Sequence, residues 1–184
     1  MMFMLYQGSS ENWVLFGLTI FLIFIIVIIS ISYLLAAIRI FKEYERGVVF
    51  RLGRYIGLKG PGLFWLFPKI DKVVKVDTRT ITYDARTIKV ITKDNMRCDV
   101  DSFVYYRVID PKKAILEVNN YIAATQNLAK TVLRDVFGNA ELDEILTNTR
   151  EFTLKIQEEI DEKTNPWGIK VSEVAVSDIL LPSN

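Results

Sequence analysis

The longest apolar run of this sequence lies close to its N-terminus, where residues 12–38 contain neither a charged side chain nor a proline. As a helix with a rise of ~1.5 Å per residue, this run extends about 40 Å and exceeds the ~30 Å hydrocarbon core of a bilayer. Trp13 and Ile38 lie near its two ends, and tryptophan is typical of the membrane–water boundary. The pattern predicts a straight transmembrane helix over residues 12–38, preceded by a tail at residues 1–11.

Two alternatives to a transmembrane helix fit this apolar run less well. A buried core helix needs surrounding protein, and the remaining chain offers too little to enclose such a run. A cleaved signal peptide has a shorter apolar region with cations before it, whereas the first cations here are Arg39 and Lys42, after the run. The positive-inside rule places the segment that follows in the cytoplasm. We therefore expect a single-pass protein of the cell membrane with a cytoplasmic domain.

Beyond residue 38, apolar and polar residues alternate with a period of two, which is typical of half-buried strands. This alternation predicts strands over residues 45–54, 69–77, 81–90, 96–108 and 168–181. The alternation slips near Ala85, where a bulge or corner is expected, and again between Val171 and Val174. Residues 94–95 predict a hairpin turn, and residues 57–62 predict a loop.

Helical spacing and capping residues appear after the strand predicted at residues 96–108. The expected boundaries are Asp110–Pro111 for the start of the first helix, Asn119 or Asn120 for the start of the second, Gly138 for its end, residues 141–146 for a short turn, and residues 148–163 for the third helix. Strands come first, helices follow, and one strand returns. This order predicts an α+β fold, with an antiparallel sheet and helices packed on one side.

Composition excludes several kinds of active site. The sequence contains no histidine and one cysteine, which removes Ser-His-Asp and Cys-His catalysis, histidine-containing metal sites and an internal disulfide. The net charge of +1 gives no general attraction for nucleic acid. Residues 39–79 hold ten Lys and Arg against four Asp and Glu, whereas residues 80–184 hold thirteen against seventeen. Anionic membrane lipid would therefore attract the first segment and repel the second.

Two clusters invite a chemical interpretation that their surroundings do not support. The glycines of residues 53–62 lack the GK[ST] ending of a phosphate-binding loop, and no helix follows them directly. Glu141, Asp143 and Glu144 form an acidic cluster of the kind that favours a solvated helix start. Cys98 falls on the apolar face of its predicted strand, as a small buried thiol does. We expect no catalytic, cofactor-binding or metal-binding residue.

Six short motifs follow the apolar run in order: KEYERGVVFRLGR, KGPGLFWLFP, VDTRT, ITKDN, VYYRVIDP and NPWGIKV. Together they resemble the stomatin-like branch of the SPFH superfamily, also called band-7 proteins, over residues 39–182. The resemblance implies a membrane-proximal SPFH subdomain at residues 39–79 and a distal one at residues 80–184. It also implies a long helical region after the SPFH domain, which the sequence does not reach before residue 184.

The resemblance implies a function other than catalysis. Proteins of this family form large membrane-bound homo-oligomers that organise membrane microdomains and bind or regulate other membrane proteins. The expected partners are therefore membrane lipid, further copies of the chain, and a membrane protein such as a membrane-bound protease of the NfeD type. The alternative is a regulatory partner or substrate of such a protease, and the alternative from another class is a membrane-anchored hydrolase.

A short run of five large apolar residues lies within the basic segment, between Pro61 and Pro68. The run is too short to span a bilayer, and aromatic side chains suit the membrane boundary. We expect it to dip into the membrane interface, with a lysine on each side near the lipid headgroups. The residues of this predicted contact are Leu63, Phe64, Trp65, Leu66, Phe67, Lys59 and Lys69. The alternative is that the run packs beneath the sheet as core.

Overall fold

One long helix, eight strands and four shorter helices form within residues 2–180, which a computed structural model describes; for residues 2–12, 14, 87, 178 and 180 it gives the backbone alone. The helices are α1 (Met2–Ala36), α2 (Pro111–Leu116), α3 (Tyr121–Gly138), α4 (Leu142–Thr147) and α5 (Thr149–Thr164), with a 3₁₀ turn at Asn165–Trp167. The strands are β1 (Ile38–Phe41), β2 (Glu45–Arg51), β3 (Arg54–Lys59), β4 (Gly62–Trp65), β5 (Asp71–Asp77), β6 (Ile81–Ile91), β7 (Arg97–Val108) and β8 (Ile169–Leu180). The predicted α+β fold is confirmed.

The N-terminal apolar run forms α1, but the helix has other bounds than the predicted 12–38. It begins at Met2, within the predicted tail, and ends at Ala36. Ile38, expected at the end of the anchor, instead lies in β1. The helix ends there because the amide of Ala37 bonds back to the last turn at 3.2 Å, while its carbonyl accepts a hydrogen bond from the amide of Leu66 at 2.9 Å. The chain then continues as a strand that pairs with β4.

The larger sheet has the strand order β6-β7-β8, and both of its pairs are antiparallel. Along β7, every second residue from Cys98 to Val108 is buried, as the alternation predicted. Both predicted slips are present as register shifts, one between Ala85 and Ile88 in β6 and one after Val171 in β8. The apolar face of this sheet forms the main core together with α3 and α5.

Polar side chains cap α2 and α3 where the sequence placed them. The Asp110 carboxylate accepts hydrogen bonds from the amides of Lys112 and Lys113 at 3.0 and 3.3 Å, which caps α2. Asn120, rather than Asn119, caps α3, because its side-chain oxygen accepts a hydrogen bond from the amide of Ala123 at 3.1 Å.

The predicted end of the second helix at Gly138 is confirmed, and the residue after it, Asn139, is right-handed with φ −93°. One strand prediction, in contrast, misses a turn. Within the strand predicted over residues 45–54, Leu52 and Gly53 form a hairpin turn with φ +49° and +83°. The returning strand β3 then occupies part of the predicted loop. The sequence did not indicate this turn, because leucine rarely adopts positive φ and hairpin turns usually have Asn, Asp or Gly at this position.

A second, smaller core lies where the three-stranded sheet β3-β2-β5 meets β7 and α2. Its buried side chains are Val48, Val76, Val108 and Ala114. The chain divides into two compact units, one with residues up to Ile40 and Gly62–Asp71, the other with Phe41–Pro61 and residues from Lys72 onward. The second unit holds both cores, and the first holds α1 and the apolar run. The subdomains expected at residues 39–79 and 80–184 stay predictions.

Candidate membrane-interface site

The five-residue apolar run occupies β4 and the two residues after it, and its side chains alternate in exposure. Leu63, Trp65 and Phe67 are 64%, 56% and 48% exposed, while Phe64 is half-buried and Leu66 is only 6% exposed. The alternation follows from the period of two along an extended backbone. The run therefore presents one apolar face to its surroundings and packs the other into the protein. Leu66 lies on the packed face, as the core alternative expects for that residue.

Two hydrogen bonds join this run and the proline after it to the last turns of α1 and the residue after the helix, within the same compact unit. The amide of Leu66 donates to the carbonyl of Ala37 at 2.9 Å. The hydroxyl of Tyr33, in the last turns of α1, donates to the carbonyl of Pro68 at 3.2 Å. The exposed apolar face is thus held beside the C-terminal end of the helix, which the sequence alone did not show.

A tight turn follows the run. The carbonyl of Phe67 accepts hydrogen bonds from the amides of Asp71 and Ile70 at 3.0 and 3.3 Å, and the Asp71 carboxylate accepts one from the amide of Phe67 at 3.0 Å. Lys69 lies in this turn at φ +73°, with its side chain exposed. Lys59 ends β3 in the other compact unit and is half-buried. Of the two lysines predicted to flank the run, only Lys69 belongs to the same compact unit as the run.

The neighbouring strand β1 adds apolar surface that the sequence analysis did not assign to the site. Ile40 is 68% exposed and Ile38 is 37% exposed, and β1 pairs directly with β4. The sequence Ile38–Phe41 has a charged residue between two isoleucines, which could have indicated a strand. Four residues are too few to distinguish such a strand from the end of the predicted transmembrane helix.

The segment of α1 from Leu15 to Ala36 has 22 residues and a mean hydropathy of 2.9, so it is long and apolar enough to cross a membrane. At ~1.5 Å per residue it extends about 33 Å, close to the ~30 Å hydrocarbon thickness. Trp13, just before this segment, is 76% exposed. The apolar side chains of α1 that face outward are an interaction surface of the kind that lipid covers.

The lone thiol lies apart from this surface. Cys98 is 1% exposed in the main core, and burial raises the pKa of its thiol, with a smaller contribution from Asp99. A raised pKa disfavours the reactive thiolate, and the expectation of a small buried thiol is confirmed. Among the side chains that the structure describes, no group of three or more His, Cys, Asp or Glu is placed to hold a metal ion.

A family model for the SPFH domain / Band 7 family matches residues 39–184. The chain belongs to this family. It is 46% identical over 169 residues to a stomatin homologue of Pyrococcus horikoshii, covering 92% of this chain and 64% of that relative. It is 42% identical over 173 residues to stomatin of Mus musculus, covering 93% of this chain and 60% of that relative.

A third relative, an uncharacterised protein of Archaeoglobus fulgidus, is 52% identical over 157 residues, covering 85% of this chain and 63% of that protein. The resemblance to stomatin-like SPFH proteins is thereby confirmed. The chain spans less than two thirds of the length of these three relatives.

Proposed function

We propose that this SPFH-family chain is a membrane-anchored scaffold subunit whose α1 crosses the bilayer and whose β1–β4 surface rests in the membrane interface. The observation that carries the proposal is the pair of hydrogen bonds holding the apolar run to the end of α1. If Ala36 marks the point where the helix leaves the hydrocarbon, then Leu63, Trp65 and Phe67 are held at the depth where aromatic side chains are favoured.

The energetics support a lipid contact for the exposed face of the run. Complete burial of a large apolar side chain stabilises by about 1.5–3 kcal/mol. Leu63, Trp65 and Phe67 are about half exposed, so their transfer into the interface would contribute on the order of a few kcal/mol. Lys69 and Arg39 would then lie near anionic headgroups, where each cation contributes about 1 kcal/mol.

The scaffold role extends this membrane contact to partner proteins. Two of the relatives carry the name stomatin or stomatin homologue, and the family resemblance implies homo-oligomers that organise membrane microdomains and regulate other membrane proteins. We propose the same role here, with the SPFH domain on the cytoplasmic side. A membrane-bound protease of the NfeD type is one such partner, which the chain would regulate or serve as a substrate.

Tryptophan fluorescence tests the interface contact directly in the complete chain reconstituted in nanodiscs. Replacing Trp13 and Trp167 by Phe leaves Trp65 as the only indole. Phosphatidylcholine brominated near the carbonyl end of its acyl chains should then quench Trp65 strongly, because bromine quenches only indoles at its own depth. The matched control replaces Trp13 and Trp65 and leaves Trp167, which packs against the main core and should not be quenched.

A second pair of variants separates the apolar face from general hydrophobicity. Leu63→Ser with Phe67→Ser should reduce the lipid quenching of Trp65. Leu146→Ser with Leu154→Ser removes two apolar side chains of similar exposure, 54% and 51%, and should leave the quenching unchanged. Quenching of Trp65 by aqueous iodide in place of brominated lipid would contradict the proposed interface contact.

A further inference from the structure

A cavity of about 320 Å³ lies in the second compact unit, where β2, β3 and the end of β7 converge. Arg46, Thr78 and Arg107 line it, and they come from three separate sequence motifs, KEYERGVVFRLGR, VDTRT and VYYRVIDP. The fold therefore brings together two guanidinium groups that are 61 positions apart in the chain. The volume falls at the lower end of the range of small-molecule pockets, ~300–1,000 Å³.

The two arginines of this cavity have no carboxylate partner among the described residues. One nitrogen of Arg46, Nη1, donates to the carbonyls of Glu43 and Glu45 at 2.7 and 3.2 Å, which orients the guanidinium and leaves its other N–H groups available. Arg107 is exposed and forms neither an ion pair nor a side-chain hydrogen bond within the described chain. A guanidinium that no acid neutralises is suited to bind an anion.

Two acidic side chains next to lining residues in the sequence, Asp77 and Asp110, have other partners. Asp77 binds the guanidinium of Arg79 through both carboxylate oxygens, at 2.6 to 3.1 Å, and this bond lowers the pKa of Asp77. Asp110 caps α2 through the amides that follow it. Neither carboxylate is therefore left to neutralise the cavity.

A further cation lies opposite Arg107 in the sheet. Arg107 of β7 and Lys170 of β8 are partners in the antiparallel register, so their side chains emerge on the same face of the sheet. Like charges directly opposite each other in a sheet are destabilising. A bound anion would reduce this repulsion. No acidic side chain of the described residues pairs with Arg107, so the anion would have to come from a ligand.

The lining beside the arginines is apolar. Leu58, Val108 and Pro111 form this part of the cavity, and they offer contact to carbon atoms rather than to a fully hydrated ion. The guanidinium fork matches the oxygens of a phosphate group. We propose that the cavity binds a phosphate ester, with the phosphate between Arg46 and Arg107 and its carbon portion against the apolar lining. The ester is either a soluble metabolite-sized molecule or the headgroup of a phospholipid, which share this chemistry.

Calorimetric titration of the complete chain in non-ionic detergent tests the site with two probes, glycerol 3-phosphate and a short-chain phosphatidic acid. We expect saturable binding of at least one of them. Arg107→Gln should weaken this binding roughly tenfold to a hundredfold, the usual effect of losing a hydrogen bond to a charged group. Arg134→Gln, which removes an exposed arginine of α3 outside the cavity, should leave the binding unchanged.

The outcomes separate the two sources of the ligand. Binding of glycerol 3-phosphate indicates a soluble ester, and binding of phosphatidic acid alone indicates a lipid headgroup. Arg107→Lys keeps the charge without the fork and should bind between the wild type and Arg107→Gln, which decides the matter if the glutamine variant folds poorly. Binding by neither probe, or equal binding by wild type and Arg107 variants, overturns the proposal. The site does not depend on the β1–β4 membrane contact, so either proposal can fail without the other.

Discussion

Leu52 adopts a backbone conformation that costs an L-amino acid about 1–2 kcal/mol. It lies at φ +49° in the turn between β2 and β3, and its side chain is 83% exposed. No burial offsets this cost within the described chain. Such turns favour Asn, Asp or Gly at this position, because these residues tolerate positive φ.

Leu52→Asn should therefore raise the free energy of unfolding by about 1 kcal/mol, since asparagine adopts the left-handed conformation more readily. Chemical unfolding in detergent, followed by circular dichroism, measures the change. Gly53→Ala is the opposite control and should destabilise the chain, because Gly53 has φ +83°. A loss of stability on Leu52→Asn would mean that the leucine side chain makes a contact which its exposure does not reveal.

Tyr106 combines complete burial with a hydroxyl that has no hydrogen-bond partner in the described part of the chain. Burial raises the pKa of Tyr106 to about 12, with a further contribution from Tyr121. A polar contact with the side chain of Gln126, which lacks the geometry of a hydrogen bond, opposes the rise. The unfolded chain ionises this tyrosine near pH ~10. Between these two values the unfolded state loses a proton that the folded state keeps, so stability falls as the pH rises.

Tyr106→Phe should leave stability at neutral pH unchanged or higher, because it removes a buried unpaired hydroxyl. It should also abolish a loss of stability of about 3 kcal/mol between roughly pH 10 and pH 12. Unfolding curves across that pH range test both effects. Tyr105→Phe, on the opposite face of β7, is the control and should keep the alkaline loss. A steep alkaline loss that persists in Tyr106→Phe would contradict the argument.

At the scale of elements, α5 shows how a helix is held to the sheet. Phe152, Ile156 and Ile160 follow each other at steps of four and are all buried in the main core. This spacing places them on one face of the helix. On the other side, Lys163 and Glu159 form an exposed ion pair at 2.7 Å, which contributes only a few tenths of a kcal/mol, about 0.3–0.5. The apolar face therefore determines how firmly α5 is attached.

Ile156→Ala should lower the free energy of unfolding by about 2–5 kcal/mol, since it leaves a cavity at a side chain with no exposed surface. Leu154→Ala changes the same helix at a position that is 51% exposed, and it should cost less than about 1 kcal/mol. Thermal and chemical unfolding of the two variants give the comparison. Similar losses for both would show that α5 is not anchored through its buried face.

At the scale of the whole molecule, the proposed orientation assigns the two sides of α1 to different compartments. The cationic residues follow the helix and none precedes it, so the positive-inside rule predicts a cytoplasmic SPFH domain. Cys98 is buried, which lets an introduced surface cysteine report on location. Asn119 is exposed between α2 and α3 and suits that purpose.

Asn119→Cys should resist a membrane-impermeant maleimide in intact cells and react once the membrane is opened. Ser10→Cys, on the other side of the apolar segment, should react in intact cells. The reverse labelling pattern would place the SPFH domain outside the cytoplasm. Protection of both positions in intact cells would show that α1 does not cross the membrane as a single span.

The features that the sequence determined are local ones. The helical form of the apolar run, the alternation along β7, its slips in β6 and β8, and the cap at Asp110 were all predicted and all appear. Each depends on a period of the backbone or on a hydrogen bond between residues at most four positions apart. Such signals survive in any tertiary environment that buries one face of the element.

The tertiary structure alone decided the features that depend on distant pairing. β4 pairs with β1, more than twenty positions earlier, and this pairing exposes Leu63, Trp65 and Phe67 while burying Leu66. A shift of one residue in the pairing would exchange the two faces, and nothing within the run itself sets the register. The cavity of Arg46 and Arg107 likewise exists only because separate strands meet. Sequence spacing records which side chains alternate, but the contact between remote segments decides which of them remain available to a ligand or a membrane.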